Sequence, residues 1–262
     1  PTLEPNPKMI QQAANLIKNS NKPILYVGGG IIHSKANQEL FDLATKFNIP
    51  VVTTLMGRGA FPDGHELCLE MPGMHGNYTA TTSIQKSDLL IAIGVRFDDR
   101  VTANPSFFAQ NAKVIHADID PAEIGKVREA QVPIVGDAKS VMLGLINALG
   151  DTKLNTENWI NELNSMKNEF PLSYNQNENG PLKVPFVLEE LQNLTEEEAI
   201  VVSGVGQHQM WISQHWNFTE PNTWLNSGGL GTMGYSLPAA IGAKTAYPEK
   251  LVLALDGDGC FQ

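Results

Sequence analysis

A carboxylate in a glycine turn at the end of an apolar run is the sharpest chemical signal in this 262-residue chain. Leu251-Val-Leu-Ala-Leu255 leads into Asp256-Gly-Asp-Gly259, so Asp258 stands where a buried parallel strand would open, the edge at which open α/β sheets take ligands. Hard cations such as Mg²⁺ take oxygen ligands and often hold a phosphate as well, and flanking glycines let the backbone approach that phosphate. Asp258 is therefore a candidate magnesium ligand, with a type I′ hairpin turn as the alternative. Other chemistry-bearing segments also follow predicted strands. Arg96-Phe-Asp-Asp-Arg100 sets two guanidiniums among two carboxylates, a fork able to grip phosphate or ribose, or else a solvated salt-bridge cluster. Gly28-Gly-Gly30 lacks the G-x-G-x-x-G spacing of a dinucleotide-binding turn, which disfavours a nicotinamide dehydrogenase and leaves an ordinary strand-to-helix turn as its simplest reading. Gly136-Asp-Ala138 offers Asp137 as a helix cap, and Met71-Pro-Gly-Met-His-Gly76 is apolar enough to lie along a flat ring or to be a plain buried loop.

These turns need a scaffold, and alternating short apolar strands and amphipathic helices supply one. Asn6-Pro7 starts a helix with Ile10, Ala13, Ala14 and Ile17 on one face, and Pro23–Val27 follows as a strand. Ser34 is expected to cap a second helix burying Leu40, Phe41, Ala44 and Phe47. Strands are expected at Val51–Leu55, Leu89–Ile93, Lys113–Ala117 and Pro133–Val135, with a helix capped by Asp137 running to Leu149. Strands apolar throughout predict a parallel sheet covered on both faces, hence a doubly wound α/β domain over residues 1–150. Residues 151–182, polar and Asn-rich around one weak helix at Trp159, Leu163 and Met166, read as a linker. The α/β rhythm restarts over 183–262, with helices at 185–194, 207–216 and 237–246 and a strand at 199–202, as a second α/β domain cut short. The opening Pro1-Thr-Leu-Glu-Pro5 also reads as a linker, without the basic and apolar regions of a signal peptide.

Composition narrows the function classes. Eighteen Lys and Arg against 28 Asp and Glu give a net charge of −10, which argues against nucleic acid or an anionic membrane as partner. Two distant cysteines, Cys68 and Cys260, suggest no disulfide framework or metal spacing and point to a reducing cytoplasmic setting.

Several long motifs together resemble one family. They are Thr53–Pro62, Pro72–Gly76, Asp88–Val101, Ile115–Gly125, Val205–Trp211, Ser227–Gly242 and the terminal Gly-Asp-Gly. The chain resembles the large catalytic subunit of acetohydroxyacid synthase (acetolactate synthase) along essentially its whole length. That resemblance implies a three-domain thiamine-diphosphate enzyme, of which this chain holds the central FAD domain and the start of the diphosphate-binding domain.

Carried over, the family's FAD contacts fall on Gly28, Gly29, Thr54, Leu55, Met56, Gly73, Met74, His75, Gly94, Arg96, Asp98, Arg100, Val101, Asp118, Ile119, Gly136, Asp137 and Ala138. Its thiamine-diphosphate contacts fall on Val205, Gly206, Gln207, His208, Gly231 and Met233, with Mg²⁺ on Asp258. Met233 would be the apolar wedge that bends the cofactor, against its commoner use as a core residue. The implied reaction decarboxylates pyruvate and joins the remainder to pyruvate or 2-oxobutanoate, in a homo-oligomer with a possible regulatory small subunit. In relatives the activating glutamate belongs to an N-terminal domain and a second magnesium ligand lies past the position of Gln262, so no residue of this chain is assigned as catalytic acid or base. The fragment is expected to be inactive, and a non-catalytic FAD-binding module is the alternative. Cys260 stands where relatives commonly carry Ser or Ala.

Overall fold

The structure is a computed structural model describing residues 3–177, 179–195 and 199–262. Pro1, Thr2 and Glu178, which fall in the two stretches read as linkers, lie outside the described residues. The chain divides into two units, one running to Phe61 and from His65 to Pro171, the other comprising Pro62–Gly64 and Leu172–Gln262.

In the first unit, α1 (Pro7–Lys18) is capped by Asn6 and buries the four expected residues. It leads to β1 (Pro23–Val27), α2 (Gly29–His33), α3 (Asn37–Phe47) and β2 (Val51–Thr53). Then come α4 (Tyr78–Lys86), β3 (Leu89–Ile93), α5 (Asp99–Thr102), β4 (Lys113–Asp118), β5 (Val132–Val135), α6 (Ala138–Leu149) and α7 (Glu157–Glu169). The five strands form a parallel sheet in the order β2-β1-β3-β4-β5. Successive side chains of one strand point to opposite faces, and here both faces are covered. Leu25, Val27, Ile91 and Ile93 pack toward α1, α3 and α6, whereas Ile24, Tyr26, Leu90 and Ala92 pack toward α4 and α7. A strand buried twice over has no polar face, so its sequence is apolar at every position. This is the doubly wound α/β architecture that the continuous apolar runs predict.

Three local expectations differ. Ser34 does not cap α3; its hydroxyl donates to the Gly30 carbonyl at 2.8 Å and closes α2 instead. Leu43, not Phe41, completes the buried face of α3, while Phe41 stays half-buried and stacks on Phe61 with centroids 5.8 Å apart. The strand after Pro50 stops at Thr53 because the chain turns into a 3₁₀ helix over Leu55–Gly57. The weak helix read inside the 151–182 stretch is α7, and it packs on the first unit, its Trp159, Leu163 and Met166 joining the core on the α4 side of the sheet.

Asp137 caps α6 as expected, its carboxylate accepting from the amides of Lys139 at 3.0 Å and Ser140 at 3.3 Å. Asp137→Ala is expected to lower the stability of this unit by about 1 kcal/mol in urea denaturation. An unchanged midpoint would deny the cap its role.

The second unit contains α8 (Val184–Leu194), β6 (Ile200–Ser203), α9 (Gln207–His215), β7 (Trp224–Leu225), α10 (Ser236–Ala246), β8 (Val252–Leu255) and α11 (Asp258–Phe261). Its three strands are parallel in the order β7-β6-β8. Parallel pairing of β6 with β8, followed directly by α11, excludes the hairpin alternative at Asp-Gly. Among the described residues no helix is long and apolar enough to cross a membrane.

Candidate functional site

In the first unit the chain leaves β1 for β2 on one side and returns to β3 on the other. The connections that leave the carboxyl ends of β1 and β3 therefore run in opposite directions, the arrangement that opens a ligand crevice in sheets of this kind. A cleft of about 410 Å³ occupies that edge. Of the residues singled out from sequence, Gly29, Met56, Gly94, Arg96, Asp118, Ile119, Gly136, Asp137 and Ala138 line it. Gly30, His33, Ser34 and Ala117 line it too, and none of them is among the flavin contacts that the family resemblance implies.

Glycine is required where two backbones meet at the bottom of the crevice. Gly94 has φ +61°, and a Cβ there would lie 2.6 Å from the Gly30 Cα; a Cβ on Gly30 would lie equally close to the Gly94 Cα. The amides of Gly28 and Gly30 donate to the carbonyls of Ile93 (3.2 Å) and Gly94 (3.3 Å), tying the start of α2 to the end of β3. Glycines read as a plain turn thus form the first turn of α2.

Arg96 is held by its loop. His116 sits in β4 among apolar residues, where burial, the largest influence, keeps its pKa below the ordinary histidine value. Neutral, it donates from Nε2 to the Val95 carbonyl at 2.9 Å and accepts at Nδ1 from the Gly125 amide at 3.4 Å. Phe97 packs edge-on against the same ring, and Tyr26 against Phe97. Burial, with a smaller push from the Asp98 charge, raises the Tyr26 phenol well above its usual range. This framework presents Arg96 to the cleft, its guanidinium paired with Asp98 at 3.3 Å. A histidine within an apolar strand was the signal available for His116.

The other first-unit candidates lie outside the lining of this cleft. Gly28 and Thr54 shape its floor through backbone bonds, with the Thr54 amide donating to the Val27 carbonyl at 2.9 Å, and Leu55 opens the 3₁₀ turn that carries Met56. Gly73, Met74 and His75 form a loop joined to α5, where the Met74 amide donates to the Arg100 carbonyl at 2.8 Å. Gly73 has φ +103°, and a Cβ there would lie 2.6 Å from the same carbonyl, close to Val101. Arg100 itself pairs with Asp99 at 3.0 Å on the surface, and Asp98 caps α5.

In the second unit β6 is the switch strand, with β7 on one side and β8 on the other. Val205 and Gly206 follow β6, and Gln207 and His208 open α9. The 227–235 segment lies over them: a Cβ on Gly231 would touch Val205 at 3.7 Å, and one on Gly259 would meet the Met233 Cε at 3.0 Å. Met233 is otherwise 58% exposed, so it is no core methionine. Asp258 is exposed at the first position of α11. Among the described residues, four buried polar atoms at this edge have no hydrogen-bond partner: Ser203 Oγ, His208 Nε2, Asn226 Nδ2 and Asp256 Oδ1. Buried polar groups are rarely left so, and several converging on one strand edge fit a polar ligand that pairs with them. Sequence reading missed Ser203, Asn226 and Asp256.

Residues 10–145 match the family model described as thiamine pyrophosphate enzyme, central domain, and residues 204–262 match its C-terminal TPP binding domain. The chain belongs to the thiamine pyrophosphate enzymes. Similar members of that family include an acetolactate synthase of Mycobacterium leprae, 54% identical over all of this chain and 43% of the relative. The acetolactate synthase large subunit of Corynebacterium glutamicum is 52% identical over the whole chain and 42% of its own length. The chloroplastic acetolactate synthase of Arabidopsis thaliana is 46% identical over 98% of the chain and 38% of its own. The chain thus spans about two fifths of the length of these thiamine pyrophosphate enzymes.

Proposed function

We propose that the protein bearing this chain is the catalytic subunit of an acetolactate synthase. It decarboxylates pyruvate and joins the remainder to pyruvate or 2-oxobutanoate, giving 2-acetolactate or 2-aceto-2-hydroxybutyrate, the first common step toward branched-chain amino acids. The observation that carries this reading is the 54% identity to an acetolactate synthase over the whole of this chain.

When bound, thiamine diphosphate supplies the electron sink for loss of CO₂, and FAD serves as a structural group in a reaction without net electron transfer. The second-unit edge fits the first of these on its own chemistry. Gly206, with φ +156° at the cap of α9, lets Val205 and Gln207 approach a diphosphate, and His208 offers an unpartnered Nε2. Met233 and Gly231 would support the ring system, and Asp258, flanked by Gly257 and Gly259, would hold Mg²⁺. The first-unit cleft fits an anionic dinucleotide, with Gly29, Gly30 and Gly94 admitting its backbone-hugging phosphates, Arg96 countering their charge and Asp118 available to ribose hydroxyls. Gly28, Thr54 to Met56, Gly73 to His75, Asp98, Arg100, Val101, Ile119 and Gly136 to Ala138 complete the proposed flavin contacts. A homo-oligomer, a regulatory small subunit and a cytoplasmic setting belong to the same reading, the last in keeping with two buried thiols, Cys68 and Cys260. We further propose residues 1–150 and 183–262 as parts of the central and diphosphate-binding domains; of the intervening 151–182 stretch, α7 packs into the first unit.

The chain by itself tests the flavin half. Purified and mixed with FAD, it is expected to retain a visible flavin band and to quench flavin fluorescence, without forming acetolactate. Arg96→Ala is expected to weaken that binding about 5–10-fold, the modest worth of a charge-assisted contact made from an exposed side chain. A chain that takes up no FAD would sink the flavin assignments.

A further inference from the structure

We infer that His116 is the positioning residue of the first-unit cleft, a clamp that ties two of its walls together only while the ring is neutral and so makes flavin binding depend on pH. The inference rests on the flavin reading of that cleft. Arg96 stands on the segment that follows β3, whereas Asp118 ends β4 and Ile119 follows it. The last rung of the sheet between these strands pairs Ile93 with Ala117. Beyond it, His116 continues the tie from a side chain that is 1% exposed. It bonds to the Val95 carbonyl, one residue before Arg96, and to the Gly125 amide, at the far end of the turn that Asp118 opens.

The two partners fix the tautomer and the charge together. A carbonyl can only accept and an amide N–H can only donate, so Nε2 carries the proton and Nδ1 is bare. A second proton, on Nδ1, would set N–H against N–H. The charged ring can keep Val95 but must release Gly125, and with it the turn that positions Asp118 and Ile119.

The surroundings set the pH at which this happens. Asp118 on the same strand and Glu123 in the turn favour the proton, Glu123 itself being paired with Lys126 at 2.9 Å. From the β3 side the ring meets Phe97, with Arg96 next in the chain, and across Phe97 lies the Tyr26 phenol of β1, which burial keeps neutral. Its neighbours in register, Ala92 of β3 and Pro133 of β5, carry no charge. Burial outweighs both carboxylates and puts protonation below the ordinary histidine range. The unfolded chain therefore takes up this proton first, so the clamp is complete above about pH 6.5 and is lost as pH falls toward the lowered value. His33 in the cleft lining and His75 in the Gly73–His75 loop would act in the opposite sense, since their protonation adds positive charge for an anionic ligand.

The test follows amide hydrogen exchange at Gly125 and over 95–97 in the flavin-free chain, corrected for the intrinsic effect of pH, and FAD titration by fluorescence quenching. Between about pH 7.5 and pH 5, protection at Gly125 and affinity for FAD are each expected to fall about 3–10-fold, because only the fraction with neutral His116 has the assembled cleft. His116→Gln offers an N–H to Val95 and an oxygen to Gly125 but does not titrate. It is expected to match the unaltered chain within about twofold at pH 7.5 and to change by less than about twofold across the range. His116→Leu is expected to bind FAD about 10-fold more weakly, without that pH dependence. Protection or affinity that stays flat in the unaltered chain, or a His116→Gln variant that keeps its pH dependence, would overturn the inference. A chain that takes up no FAD at any pH sinks the flavin reading instead; Gly125 protection that still falls with pH and stays flat in His116→Gln then upholds the clamp, and any other exchange result overturns it.

Discussion

Replacing Gly94 by alanine is expected to lower the stability of the first unit by about 2–4 kcal/mol and to abolish its binding of FAD. Two costs combine. The backbone at Gly94 is left-handed, with φ +61°, which an L-residue adopts at a cost of about 1–2 kcal/mol. The new methyl would also lie 2.6 Å from the Gly30 Cα, a backbone atom that no rotamer change can move aside. Overpacking of that kind costs about 1–3 kcal/mol and is relieved only by parting α2 from the end of β3. Those two segments are the walls of the proposed flavin cleft, so the strain falls where the ligand has to sit. Urea denaturation and flavin titration of the variant check both halves. A variant as stable as the parent, or one that binds FAD equally well, would show that the close approach of Gly30 and Gly94 does not hold the cleft.

Trp159→Ala is expected to cost the first unit about 3–5 kcal/mol of stability, because it empties a large, fully enclosed space in the core. The side chain is 1% exposed, Lys22 lies over its ring at 4.9 Å, and its indole N–H donates to the Pro23 carbonyl at 3.2 Å. Pro23 opens β1, the strand that leads into Gly28, so one residue of α7 braces the strand beneath the cleft from its far end. Trp159→Phe keeps most of the packing and loses the donor, and is expected to cost about 1 kcal/mol more than a neutral swap. Denaturation midpoints of the two variants separate the terms. If Trp159→Ala unfolded within about 0.5 kcal/mol of the parent, α7 would have to be regarded as an appendage of the first unit and not a part of its core.

The contrast between α7 and the strands explains what was legible in the sequence. β1 and β3 match their expected bounds because strands covered on both faces have to be apolar at every position, a pattern that needs no partner to be recognised. The caps at Asn6 and Asp137 were legible because a cap is a contact between near neighbours in sequence. α7 carries only three buried residues in thirteen, too few to distinguish a core helix from one in a linker. Glycine is a poor helix former, so Gly29–His33 becomes helical only through the bonds that Gly28 and Gly30 make to β3. β7 is two residues long and exists by pairing with β6.

The same division holds for the sites. Strand-end glycines and charged loops mark the crevice because the sheet topology delivers every strand end to one edge. His116 acts through the loop that it holds, and His208, Asp256 and Cys260 converge from segments some fifty residues apart. No local spacing reports such a meeting. Asp258 drew attention through its Gly-Asp-Gly setting, whereas Asp256, two residues earlier, shows its unpartnered oxygen only in the folded chain.

The most direct measurement is acetolactate formation from pyruvate by the product of the complete gene, supplied with thiamine diphosphate, Mg²⁺ and FAD. The proposed function predicts that acetolactate accumulates and that chelating the Mg²⁺ stops it. A folded product that binds thiamine diphosphate but releases CO₂ from pyruvate without joining two carbon skeletons, or leaves pyruvate untouched, would contradict it.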